Sequence, residues 1–229
     1  MDNIEHIFFD LDHTLWDFDS NSRQTLNELY HEFDLSSFGI EKPEHFIERY
    51  ILQNEKLWAM YRENRISKNR LRNARFEATL RDFKINDKQL SKDIGKAYVD
   101  QSPHKTKLND GALSLLKTLN TKYSLHIISN GFQEVQMIKL NASGLMPFFK
   151  KIITSEKASA KKPNPRIFDY ANKATGAEAN KSLMVGDNYD IDILGALNAN
   201  WRAIHYSPEG ASKHGEVIRR LPDLLGYLE

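Results

Sequence analysis

The spacing of apolar residues divides this chain into two textures. Between about residues 20 and 102 they recur three and four apart. In "SNSRQTLNELYHEF" Leu26, Leu29, Tyr30 and Phe33 fall on one helical face. "KPEHFIERYILQNEKLWAMYRENR" opens with Pro43, which suits a first turn. Leu71, Ala74, Phe76 and Leu80 continue the pattern, followed by Leu90, Ile94 and Tyr98. The block predicts a small helical bundle. On either side of it, short apolar runs alternate with amphipathic stretches, as in a parallel sheet with crossover helices. Strands are predicted at residues 4–9, 124–128, 151–154, 183–185 and 201–206. The helices between them are "NDGALSLLKTLN", "FQEVQMIKLNAS" stopped by Gly144, "NPRIFDYANKAT" stopped by Gly176, and "YDIDILGALNAN".

The first strand lies on the far side of the helical block from its partners. The economical reading is an α/β protein: a Rossmann-like parallel sheet core, residues 1–17 and 103–229, with an inserted all-helical domain, residues 18–102. A chain of 229 residues can bury such a core. With 40% hydrophobic residues, 28% charged residues and a formal net charge of +1, nothing points to a nucleic-acid polymer or a membrane as partner. Cysteine is absent, which excludes disulfides, thiolate metal sites and a cysteine nucleophile. The opening "MDNIEHIFF" lacks the basic and long apolar parts of a secretion signal, so the expected location is cytoplasmic.

Chemistry concentrates just after the predicted strands. Asp10 and Asp12 follow the first, "SNG" (Ser129, Asn130, Gly131) the second, and "GDNYDID" (Gly186 to Asp192) the fourth; Lys161 and Lys162 follow the third after a short loop. In a parallel sheet the carboxyl ends of all strands share one edge, where ligands bind. Burying unpaired carboxylates costs several kcal/mol or more each. Either these acids lie at the surface or something positive compensates them. A hard divalent cation and a phosphate gripped by lysine, hydroxyl and backbone N–H groups would satisfy the whole set.

The motifs carry a resemblance. "DLDHT" resembles the DxDxT signature of the haloacid dehalogenase (HAD) superfamily, and "SNG", "KKPNPRIF" and "GDNYDID" resemble its later motifs in the right order, over roughly residues 4–17 and 108–225. The helical insert resembles a C1-type cap. "KLWAMYRENRISKNRLRNARFE", "SNGF" and "RIFDYA" are similar to bacterial noncanonical pyrimidine 5'-nucleotidases, enzymes that hydrolyse nucleoside monophosphates, modified ones included. The resemblance implies a Mg2+-dependent hydrolase of small phosphomonoesters. It makes Asp10 the nucleophile and Asp12 the acid and base, with its backbone carbonyl on Mg2+. Thr14 would fix Asp12. Leu11, Thr14, Ser129, Asn130 and Gly131 would surround the phosphate, and Lys162, before the proline, would neutralise it. Asp187 would bind the metal, and Asp192 would support its water shell or orient the lysine. Two departures, the missing glycine in "ASAKKP" and Asn188 in place of serine, remove no needed charge.

Plainer readings stand beside these. Ser129 could cap a helix, Lys161 and Lys162 could be a solvated pair, and Asp190 could be a first-turn acid. Leu57, Trp58, Tyr61 and Phe76 read as packing, with base stacking by Trp58 or Tyr61 as the sharper alternative. Arg62, Arg65, Lys68, Arg70, Arg72 and Arg75 read as a solvated face. Rival functions are a sugar-phosphate or phosphoglycolate-type phosphatase, a phosphomutase, and a non-catalytic regulatory module on the same scaffold.

Overall fold

Helical spacing becomes four helices in the computed structural model, which describes residues 3–210, 212–213 and 215–228. They are α1 (Phe18–Glu32), α2 (Pro43–Arg62), α3 (Lys68–Asp82) and α4 (Lys88–Gln101). Pro43 sits in the first turn of α2, where its missing N–H costs no hydrogen bond. Ser67 caps α3 by accepting the Arg70 N–H, and Asp87 caps α4 by accepting those of Gln89 and Leu90. Residues Asp19–Lys105 make one compact unit, with a core that includes Leu26, Leu29, Phe46, Tyr50, Phe76, Ile94 and Tyr98.

One member of the basic series departs from expectation. Arg75 is only 6% exposed and lies over the rings of Tyr50 and Tyr98, 5.9 and 5.4 Å from their centroids. It donates to the Tyr50 hydroxyl at 2.9 Å and to Asn54 Oδ1 at 3.3 Å. Four residues after Leu71, it falls on the buried stripe of α3, and position on the helix overrides charge.

The residues before and after the helical unit form a second unit around one parallel sheet of six strands. These are β1 (His6–Phe9), β2 (Ser124–Ser129), β3 (Lys151–Thr154), β4 (Ser182–Gly186), β5 (Arg202–Tyr206) and β6 (Val217–Ile218), in the order β3-β2-β1-β4-β5-β6. All the predicted strands are present. β6 is additional, and two residues are too few to show a period. The residues at the ends of the expected core, 1–2 and 229, lie outside the described ones.

Both faces of the sheet are covered, so its strands are apolar throughout. Ile7, Phe9, Leu125, Ile127 and Val185 join one core cluster, and Phe8, Ile128, Ile153 and Met184 join the other. The covering helices are α5 (Ala112–Leu119), α6 (Gln133–Ala142), the short α7 (Ser155–Ala158), α8 (Pro165–Thr175) and α9 (Leu194–Asn198). Gly144 and Gly176, at positive φ, follow α6 and α8 as the sequence predicts. β1 is flanked by β2 and β4, which start the two directions of winding; a crevice is therefore expected at the carboxyl end of β1. No helix among the described residues is long and apolar enough to cross a membrane.

Candidate active site

Asp10 follows β1 directly, and its N–H donates to the Val185 carbonyl of β4 at 2.9 Å. The side chain therefore starts from the middle of the sheet edge. Lys162 Nζ lies 2.5 Å from Asp10 Oδ1 and 2.6 Å from Asp192 Oδ1, and the lysine is 2% exposed. Asn130 fixes the lysine backbone, accepting the Lys162 N–H at 2.8 Å and donating to its carbonyl at 3.0 Å. Lys161, by contrast, is half-buried. Of the two adjacent lysines, Lys162 is the one whose ammonium meets Asp10 and Asp192.

Asp192 lies on a π-helical turn, Tyr189–Ile193, just after β4, a form often found at functional sites. Its Oδ2 accepts the Asn188 N–H at 3.1 Å. A Cβ on Gly186 would come within 2.4 Å of Asp192 Oδ2, so the glycine ending β4 leaves room for this carboxylate. Asp187 Oδ1 accepts the Thr14 hydroxyl at 3.0 Å. Here the expectation is corrected: Thr14 holds Asp187 and not Asp12. His205 of β5 donates from Nε2 to the Asp187 carbonyl at 2.8 Å.

Asp10, Asp187 and Asp192 each present an oxygen within 4.8 Å of the others, a set that can hold a metal ion. Three carboxylates around one ammonium leave an excess of negative charge, which a cation would balance. Electrostatics carry the same signature. Burial is the largest influence on Asp10; Lys162 opposes it, Asp192 and Asp187 add to it, and the carboxyl is raised to about 8. Burial and the nearby Asp192 raise Asp187 to about 6. For Lys162 burial works the other way, yet Asp10 and Asp192 hold it above its usual value.

Asp12 does not join that set through its carboxylate. Its Oδ2 accepts from Gln136 at 2.8 Å, and its Oδ1 is ion-paired with Lys139, both on α6. Burial would raise Asp12, but Lys139 and then Gln136 hold it below the ordinary carboxylate value. Ser129 ends β2, and its hydroxyl oxygen accepts the Gly131 N–H at 3.0 Å and Gln136 Nε2 at 2.9 Å. The expectation that the Gly131 N–H faces a ligand is corrected, since it is turned onto Ser129. Leu11 packs its side chain in the core, and its carbonyl accepts the N–H groups of Leu15 and Trp16. Asp190 is exposed, in keeping with the plainer reading. Sequence reasoning missed Gln136, Lys139 and His205, each of which resembles an ordinary helix or strand residue.

Residues 7–206 match the family model described as haloacid dehalogenase-like hydrolase. The chain belongs to this family. It is a hydrolase of the HAD type, and pyrimidine 5'-nucleotidases are among its relatives. YjjG of Escherichia coli (strain K12), a pyrimidine 5'-nucleotidase, is 32% identical over 89% of this chain and 89% of its own length. PynA of Streptococcus pneumoniae (strain ATCC BAA-255 / R6), also a pyrimidine 5'-nucleotidase, is 30% identical over 97% of this chain and 94% of its own. Among solved structures, the HAD-hydrolase YfnB from Bacillus subtilis bound to magnesium superposes with a TM-score of 0.89 at 26% identity, covering 99% of each chain.

Proposed function

We propose that this hydrolase cleaves pyrimidine nucleoside 5'-monophosphates through a phosphoaspartate on Asp10. The observation that carries the chemistry is the Asp10–Lys162–Asp192 contact inside an acid triad. The choice of substrate rests on the nucleotidase relatives. The helical unit serves as the cap domain of a core built from residues 1–17 and 103–229. Asp10, Asp187 and Asp192, with the Asp12 carbonyl, would hold Mg2+, which supplies charge neutralisation for the phosphate.

The chain's own residues account for the two steps. Lys162 offsets the joint charge of nucleophile and phosphate, and the Ser129 hydroxyl donates to a phosphoryl oxygen. An Asp10 oxygen bonds to phosphorus as the ester P–O bond breaks, and Asp12 gives its proton to the departing nucleoside oxygen. Asp12 is ionised in the resting chain, and it takes that proton from solvent water as the anionic phosphate arrives beside it. It then takes a proton from water, whose oxygen attacks phospho-Asp10 to release phosphate and free the aspartate.

A phosphate-release panel containing uridine and thymidine monophosphates, sugar phosphates and phosphoglycolate, with and without Mg2+, tests both levels. The pyrimidine nucleotides are expected to exceed the others in kcat/KM by about tenfold or more, the value of a specific pocket contact. Sugar phosphates turning over better would reject the substrate, and no release from any compound would reject the phosphatase.

Metal and protons should compete at this site. Asp10 and Asp187 titrate higher in the folded chain than their ordinary 3.8. The metal-free fold is therefore favoured at low pH by their protonated forms, and it loses that stability as pH rises through about 6 and about 8. A divalent cation binds the ionised forms. The rise in Tm on adding Mg2+ is expected to be small near about pH 5 and to grow toward about pH 8. Thermal melts with and without Mg2+ across that range check it, and a shift independent of pH would exclude these carboxylates as the ligands.

A further inference from the structure

We propose that Lys139 and Gln136 are positioning residues that lock the Asp12 carboxylate and the Ser129 hydroxyl into one working arrangement. The inference rests on the reading of Asp12 as acid and base. Its basis is a contact set that the strand-end motifs do not contain. Gln136 and Lys139 lie three residues apart on α6, so they share a face. Each takes one oxygen of the same carboxylate, Gln136 the Oδ2 and Lys139 the Oδ1.

The lysine is a costly choice for a mere prop. Its side chain is 5% exposed, and its ammonium sits 3.9 Å from the centroid of Trp16 and 5.3 Å from that of Phe18. A buried ammonium with one carboxylate and two aromatic faces is held in a single place. The carboxylate it grips is itself about a quarter exposed, and without the grip it would sample several rotamers.

Gln136 extends the lock to the phosphate side. The residue is fully buried, and its Nε2 donates both to Asp12 and to Ser129 Oγ. Ser129 Oγ also accepts the Gly131 N–H, so both lone pairs of the hydroxyl are engaged. Its own proton is thereby left to point at a ligand oxygen. Gly131 makes this possible, because a Cβ there would lie 1.9 Å from Gln136 Nε2. One amide thus sets the distance between the group that transfers protons and the group that holds phosphate, and such placement matters on a scale below 1 Å.

The test uses the full-length protein and the variants Lys139→Met, Lys139→Arg and Gln136→Leu, with uridine monophosphate and 4-nitrophenyl phosphate. Nucleoside departure needs a proton, whereas nitrophenolate leaves without one. With the nucleotide, Lys139→Met is expected to lower kcat by about 10- to 100-fold with little change in KM, a part of the full acid–base contribution. With 4-nitrophenyl phosphate the first turnover stays fast and a burst of about one nitrophenolate per enzyme appears, because phosphoenzyme hydrolysis still needs Asp12 as base. Lys139→Arg should restore most of the rate. Gln136→Leu should lower kcat and also raise KM, since it releases Ser129 as well.

Wild-type-like kinetics in Lys139→Met would overturn the proposal, as would an equal loss in first and later turnovers. If Lys139→Met does not fold, Gln136→Leu decides alone, and unchanged kcat and KM in that variant reject the lock. A wild-type protein that releases no phosphate from either compound would sink the phosphatase reading itself, an outcome distinct from both.

Discussion

Asp10→Asn is expected to abolish turnover, lowering kcat by about 10^4-fold or more, while leaving the fold in place. The amide keeps the size of the side chain and its place after β1, where the backbone N–H still donates to Val185. What it removes is the anionic oxygen beside Lys162. Lys162 retains Asp192 at 2.6 Å, so the buried ammonium keeps a counter-charge and the melting transition should survive. Measurement of phosphate release with circular dichroism on the same sample separates the two effects. A folded Asp10→Asn protein with near-normal rates would transfer the nucleophile's role elsewhere.

The second large effect is expected at Lys162. Replacing it by methionine leaves three clustered carboxylates without the cation between Asp10 and Asp192. Loss of the partner of a buried charge is worth about 3–5 kcal/mol of stability, and some of it returns as the acids protonate. Activity should fall by about 10^3-fold or more, since on the proposed mechanism the variant also lacks the charge that meets nucleophile and phosphate together. Lys161→Met should stay within a few-fold of the parent, because that half-buried side chain does not enter the Asp10–Asp192 contact. Paired assays of the two variants check the assignment, and a larger loss at Lys161 would reverse it.

The placement of residues at strand ends was legible before the structure, because a parallel sheet brings all its carboxyl ends to one edge. Asp10, Ser129, Asp187 and Asp192 converge there for that reason. Lys162 needed more, since neighbouring lysines have equal spacing and only packing buries one of them. Lys139 and Gln136 were invisible for a different reason. A lysine in "QEVQMIKLNA" looks like any solvated helix residue, and nothing in its period shows that its ammonium meets two aromatic rings and a carboxylate. Arg75 was misread on the same ground. Thr14 was assigned the wrong partner: its hydroxyl donates to Asp187, which follows β4, far away in sequence.

The central place of β1 also bears on how the chain is made. Its two neighbours, β2 and β4, pair with it from Ser124 and Ser182 onward, long after "HIFF" has been synthesised. The helical unit, which falls between β1 and β2 in sequence, is continuous and can close early. The growing polypeptide therefore carries β1 as an apolar, unpaired ribbon until translation delivers the partners on either side, a period in which neighbouring nascent chains compete for the same edges.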